Sequence, residues 1–354
     1  MEKINLFYDC DPGIDDAFTI LMLRDPKFNV IGISTEGGNV SIEDTTRNAI
    51  LLKYIANLNE EIPVIRGVSL PLIVEEKCAS EVHGDTGIGP KNYGFTRVQI
   101  DNEEYIKRAI NVDENGKVFK SGILCMYEQI MGCKGKVTIL ATARLTNLAL
   151  LFTSFPDVEE KIERIVIMGG SLSKGNVTSS AEFNIYTDPH AAEIVFRLGT
   201  RLEIVLVPLG CTHLLYYNEK ILNSIKSKLG DTTFSKILIE TKLFCQKSMK
   251  DLSKLYPNNE EEDTEFTELF LPHMHDPCSC YYLLDPQMFE TKRLVVHVEC
   301  NSETTRGAII WDNLERNGMK KNVLVATSVK VEQFWEKYIS LLEIVNKDTP
   351  VNKN

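Results

Sequence analysis

No stretch of this chain is basic. Lys and Arg number 39 against 50 Asp and Glu, a net charge of −11. A phosphate backbone finds no cationic surface here, so no nucleic-acid partner is expected. Long apolar runs are also missing, which argues against a membrane span. The N-terminus enters an apolar strand without the basic and apolar regions of a secretory signal. The nine cysteines are an odd, scattered set with no disulfide framework, and Cys278 and Cys280 stand too close for a C-x2-C zinc pair. Reduced thiols of a cytoplasmic protein are the expectation. Tryptophan is scarce: Trp311 and Trp335 are the only two, both late in the chain.

What is present suits a large core, since 43% of the 354 residues are hydrophobic. "INLFY" (4–8) reads as a buried strand and "DDAFTILMLRD" as a helix stopped before Pro26. "FNVIGIST" (28–35) and "IPVIRG" (62–67) are further strands around a helix through "TTRNAILLKYIANL". The alternation continues with "KVTILAT" (136–142), "LTNLALLFTSFP", "IERIVIMGG" (162–170) and "RLEIVLVPLG" (201–210). Strand–helix–strand repetition predicts a single α/β domain with a mostly parallel sheet over 1–342, with a helix-rich excursion at about 214–272. The acidic block "NNEEEDTE" (258–265) reads as a solvated loop, or as part of a cover over a site, and 343–354 as a polar tail. In such a sheet ligands bind beyond the carboxyl ends of the strands.

There the first strand delivers "DCDPGIDD", four carboxylates within eight positions and no Lys or Arg until Arg24. Two carboxylates about 4 Å apart repel by about 4 kcal/mol at an effective dielectric near 20. Asp15 and Asp16 sit where a helix N-terminus favours acids, but that leaves Asp9 and Asp11 unexplained. A turn at Pro12-Gly13 brings Asp11 back toward the pair, and three converging carboxylates suit a hard cation, calcium or magnesium. An EF-hand is excluded, because Gly13 occupies an acidic ligand position. Later, "AEFN" places Glu182 and Asn184 two apart, on one side of an extended chain, as a vicinal diol would require.

Several motifs in order identify a relationship. "DCDPGIDDA" resembles the N-terminal signature of the inosine-uridine preferring nucleoside hydrolases. "EGGNVSIEDTTRNA", "GNVTSSAEFNIYTDPHAA", "PHMHDPCSCYYLLDP" and "TTRG" (304–307) resemble that family's later segments, so the likeness spans nearly the whole chain. The resemblance implies a calcium held by Asp11, Asp16, Asp276 and the Thr142 carbonyl, with Asp11 the general base toward a water. It implies that Asp15, Asn39, Asn176, Glu182 and Asn184 hold the ribose, with the Met168 backbone nearby. His275 and His83 would lie on the nucleobase side, and His275 would assist the departing base. It implies a nucleosidase of nucleoside salvage, broad or pyrimidine-accepting, acting on a ribonucleoside as a homodimer or homotetramer. The family's purine-specific members stack the base on tryptophan, and neither tryptophan here lies near the expected base pocket.

The chemistry agrees with those roles. Breaking an N-glycosidic bond leaves positive charge on the sugar carbon and negative charge on the base, so the sugar wants oxygen-rich, anionic surroundings. A cation beside a carboxylate readies a water. Two features depart from the family. Ala143-Arg144 stands where Gly-Pro is usual, with Arg144 expected to point outward, and 58 residues separate His213 from Pro272. His190, His213, His273 and His297 receive no site role. Two rival readings are a D-x-D phosphatase using Asp9 as nucleophile and an inactive ribose-binding module.

Overall fold

The computed structural model describes residues 3–100, 109–254, 270–312 and 318–353. Its strands are β1 (Ile4–Cys10), β2 (Phe28–Thr35), β3 (Val64–Arg66), β4 (Val137–Ala141), β5 (Ile162–Met168), β6 (Glu203–Val207), β7 (Phe289–Val298), β8 (Ile309–Asp312) and β9 (Val323–Val329). The helices are α1 (Ile14–Met22), α2 (Ile42–Ile55), α3 (Ser80–His83), α4 (Gly122–Gly132), α5 (Thr146–Ser154) and α6 (Phe183–Thr187), followed by α7 (Pro189–Leu198), α8 (Leu209–Thr212), α9 (Glu219–Leu229), α10 (Thr233–Ser253), α11 (His275–Leu284) and α12 (Val331–Asp348).

All nine strands join one sheet in the order β3-β2-β1-β4-β5-β6-β9-β7-β8. β1 to β6 and β9 run parallel, while β7 is antiparallel to both β9 and β8. The expected α/β architecture with a mostly parallel sheet is the observed one. β1 shows why both faces are covered. Residues two apart share a face, so Leu6, Tyr8 and Cys10 pack into the layer containing α1, α11 and α12, while Phe7 packs into the layer containing α4, α5 and α7.

The strand order reverses around β1. The chain moves outward through β2 and β3, then returns to place β4 on β1's other side. A crevice opens at such a switch point, beyond the strand ends. The acidic turn lies at the carboxyl end of β1, in that crevice.

One expectation is corrected, at the C-terminus. The tail does not begin at 343: α12 runs to Asp348, Thr349 is buried with its hydroxyl donating to the Ile55 carbonyl (2.7 Å), and Val351 is buried. The apolar stripe Phe334, Tyr338, Leu341, Leu342 and Val345 carries the helix past the polar composition of its last turn. The excursion does contain helices α9 and α10, but the acidic block 258–265 lies outside the described residues. No helix among the described residues is long and apolar enough to cross a membrane.

Candidate active site

The first strand ends at Cys10, and Asp11-Pro12-Gly13 turn the chain into α1. Gly13 is the N-cap, and its amide donates to Asp16 Oδ2 at 3.0 Å. A Cβ at Gly13 would come within 2.6 Å of both Asn39 Nδ2 and His83 Nδ1, so only glycine lets these groups approach. The Asp16 Oδ1 atom accepts from the Tyr8 hydroxyl (2.8 Å) and from Thr142 Oγ1 (2.7 Å). Asp11 Oδ2 accepts from the Asn39 amide at 2.8 Å, and the Asn39 side chain donates to the Asp11 carbonyl at 3.0 Å. Gly38 makes room for this clasp: a Cβ there would sit 2.0 Å from Asp11 Oδ2.

Asp276, at the start of α11, comes from 260 residues further along and joins this turn. Asp15, Asp16 and Asp276 each offer an oxygen within 4.8 Å of the others. Asp11 stands beside this group rather than within it. Its Oδ1, like Asp15 Oδ1, is buried without a hydrogen-bond partner. Burial, and then Asp16 and Asp15, push the Asp11 carboxyl well above the carboxylate range. Burial, followed by Asp15, Asp16 and Asp11, does the same to Asp276. For Asp16, burial and the charge of Asp15 raise the value to about 7. Ionising this cluster without a compensating cation is costly, and its donors are all hard oxygens.

The ribose-side residues form the adjoining wall. Glu182 is the N-cap of α6 and accepts from the amides of Gly170 (2.8 Å), Asn184 (2.9 Å) and Ile185 (3.2 Å). Burial nonetheless raises its carboxyl to about 7. The extended reading of "AEFN" is corrected: Asn184 lies inside the short helix α6, and its amide nitrogen donates to the carbonyls of Thr142 (2.8 Å) and Met168 (3.3 Å). Asn176 is exposed at the rim, its Oδ1 accepting from the Phe183 amide at 3.0 Å.

These residues line a cavity of about 480 Å³, together with His83, Asn39 and Asp15. His83 Nδ1 accepts from the Ile14 amide at 3.0 Å, which fixes the ring against the start of α1. Burial holds its pKa below the usual histidine value. At the other end of the cavity three imidazoles meet. His213 stacks on His273 with centroids 4.4 Å apart, and His275 lies 5.5 Å and 5.4 Å from the two. The His275 Nδ1 is 2.8 Å from Thr212 Oγ1, so the ring is oriented whichever atom carries the hydrogen. Burial and the neighbouring imidazoles hold His275 well below its ordinary value, and burial takes His213 to about 4. His213 and His275 are neutral at pH 7.

Sequence reasoning left His213 and His273 without a role, and it missed Lys242, Cys245, Met249 and Leu252, which place one face of α10 along the cavity. The pairing of His273 with His275 two residues apart was the available signal. Arg144 does not point outward. It is fully buried, with Nε 3.4 Å from Glu36 and Nη2 donating to the Ser69 carbonyl at 2.6 Å. After β4 the Thr142 amide donates to the Asp9 carbonyl at 2.9 Å, and the Thr142 carbonyl accepts from Asn184 Nδ2 at 2.8 Å. Asp9 itself accepts from Ser34 and Asn147 inside the sheet and does not reach the cavity, which removes it as a phosphatase nucleophile. Neither Trp311 nor Trp335 lines the cavity, and Trp335 packs on Tyr217 in the core.

The sequence profile of the inosine-uridine preferring nucleoside hydrolases matches residues 6–336. The chain belongs to this family. The hydrolase is 33% identical over 97% of its length to a probable ribonucleoside hydrolase of Dictyostelium discoideum, covering 95% of that protein. It is 31% identical over 96% of its length to a pyrimidine-specific ribonucleoside hydrolase of Shewanella sp. (strain MR-4), covering 96% of it. Among solved structures, its fold matches a purine-preferring ribonucleoside hydrolase from Gardnerella vaginalis with a TM-score of 0.78, at 24% identity, covering 97% of this chain and 99% of that one. Its activity is hydrolysis of the N-glycosidic bond of ribonucleosides.

Proposed function

We propose that this hydrolase acts on nucleosides of the inosine and uridine type, calcium-dependently and with broad or pyrimidine-accepting specificity. The observation that carries the cation is the pair of buried, unpartnered oxygens, Asp15 Oδ1 in the Asp15, Asp16 and Asp276 cluster and Asp11 Oδ1 beside it, with no thiolate or imidazole in that cluster. Asp11, Asp16, Asp276 and the Thr142 carbonyl would hold it, with Asp15 alongside. When bound, such a cation balances the charge and lowers the pKa of a neighbouring water.

Asp11 serves as the general base. It takes one proton from the attacking water as that oxygen joins C1′ and the C1′–N electron pair leaves with the base. The products are ribose and free base, the base gaining a proton. Asp15, Asn39, Asn176, Glu182, Asn184 and the Met168 carbonyl hold the ribose, and their oxygens favour the positive charge developing on C1′. His275, being neutral, assists the base by a hydrogen bond from its other ring nitrogen. His83 sits against the start of α1 and closes the side of the site. A cavity lining of imidazoles, aliphatic side chains and Phe270, without tryptophan, supports the pyrimidine-accepting reading, as does the likeness to the Shewanella enzyme. A cytoplasmic setting, a salvage role and assembly as a homodimer or homotetramer belong to the same proposal.

A panel of uridine, cytidine, inosine and adenosine, assayed for reducing sugar with and without chelator, tests this reading. Ribose release from uridine, lost on chelation and regained with calcium, is expected, with p-nitrophenyl phosphate left intact. Full activity in chelator overturns the cation, and phosphate release without ribose release overturns the whole reading.

A further inference from the structure

Helix α10 brings a lysine into the interior. Lys242 is 2% exposed, lines the same cavity as the three histidines, and stands close enough to His275 for its charge to lower that imidazole's pKa. Its ammonium lies 3.8 Å from the centre of the Phe18 ring and 3.9 Å from that of Tyr217. Met274 Sδ, at 3.7 Å, is the one hydrogen-bonding atom recorded beside it among the described residues, and no carboxylate or carbonyl partner is recorded there. Rings and a thioether hold a cation without neutralising it. Burial lowers the lysine to about 8, with Cys245 and Asp15 raising it, so it is largely charged at pH 7. A buried cation without a counter-charge costs stability, and such groups cluster at functional sites.

The reaction supplies a use. At the base end, the electron pair of the broken C1′–N bond arrives on the departing base. His213 and His275 there are neutral and bring no positive charge. We propose that Lys242 is an electrostatic positioning residue for the leaving group: its field, directed across Met274 and His275 toward the base end, stabilises the negative charge gathering on the base. It acts through space and need not touch the substrate. Fixed charges aimed at where charge develops need no reorganisation during the reaction, which makes them effective inside a dry site. The substrates favoured are those whose base departs as a delocalised anion, pyrimidines with a carbonyl beside the glycosidic nitrogen being the clearest class. This inference rests on placing the base at the histidine end of the cavity.

The test compares two substrates in wild-type protein, in Lys242→Met, which keeps the chain length inside the aromatic cage, and in Lys242→Leu. With uridine, kcat is expected to fall about tenfold to a hundredfold, less than for removing a direct oxyanion donor. With p-nitrophenyl riboside, whose leaving group carries negative charge easily, the loss should be clearly smaller. Lys242→Arg, which keeps the charge, should retain the wild-type ratio of the two rates. A purely structural lysine predicts equal losses on both substrates in whichever variant folds, and that result overturns the proposal, as does an unchanged uridine rate. Wild-type protein inert toward both substrates would instead overturn the hydrolase reading beneath it.

Discussion

Removing the cation should invert the usual dependence of stability on pH. Asp16 illustrates the size of the effect. Its carboxyl stands at about 7 in the folded chain against an ordinary 3.8, the causes being burial and the charge of Asp15. A group whose folded pKa is raised stabilises the fold below its unfolded pKa, and that contribution disappears as pH rises through the folded value. A difference of about 3 units is about 4 kcal/mol from this one group over its whole range, of which about 3 kcal/mol falls between pH 5 and pH 8; Glu182 and Asp9 carry the sum over that window beyond about 4 kcal/mol. Glu182, raised to about 7, and Asp9, raised to about 6, shift in the same direction. At about 2.1 cal/mol/K per residue, the 354-residue chain has an unfolding entropy of about 0.7 kcal/mol/K, so 4 kcal/mol is worth about 5 °C. Chelator-treated protein should therefore melt at least about 5 °C lower at pH 8 than at pH 5 by scanning calorimetry. Calcium should restore the loss at pH 8 and do less at pH 5, where protons already occupy the cluster. A metal-free melting temperature that is flat or rises over that range would refute the reasoning, as would a calcium shift equal at the two pH values.

Four further outcomes are expected. Asp11→Ala should lower kcat by about 10²–10⁴ while melting no lower than wild type in chelator, since one repelling buried charge is gone; near-normal turnover would remove Asp11 from the mechanism. Gly38→Ala should depress turnover similarly by displacing the Asp11 carboxylate, which a Cβ would meet at 2.0 Å; kinetics on a variant with native circular dichroism checks it. Arg144→Met strands Glu36 as a buried anion and should cost about 3–5 kcal/mol in urea denaturation, with much of the loss recovered in the Glu36→Gln/Arg144→Met pair. His275→Ala should slow uridine and inosine more than p-nitrophenyl riboside, and equal losses would exclude a leaving-group role.

Some of this was legible because its causes are local. The β1 strand, the turn at Pro12-Gly13 and the acids opening α1 lie within one stretch, where hydrophobic runs, turn residues and capping act over a few positions. The family resemblance pointed to Asn39, Thr142 and Met168, and the fold brings them to one cavity. The "AEFN" reading failed on backbone state: Glu182 caps a five-residue helix with its own side chain, and a segment that short carries no periodicity to separate helix from strand. Arg144 read as outward because its partner Glu36 is 108 residues away, and nothing near Arg144 marks it for burial. His213 and His273 likewise became site residues only by stacking on one another from separate segments.

By itself, then, the order of amino acids determined the parallel α/β alternation, the acidic turn and which polar groups stand at the strand ends, because each is written in spacings of two to four residues. Only the folded chain decided that Asp276 closes the acidic cluster, that three imidazoles and one caged lysine line the same cavity, and that Arg144 is buried. Those juxtapositions arise when segments 25 or more positions apart pack together, and packing at that range leaves no periodic trace in the sequence.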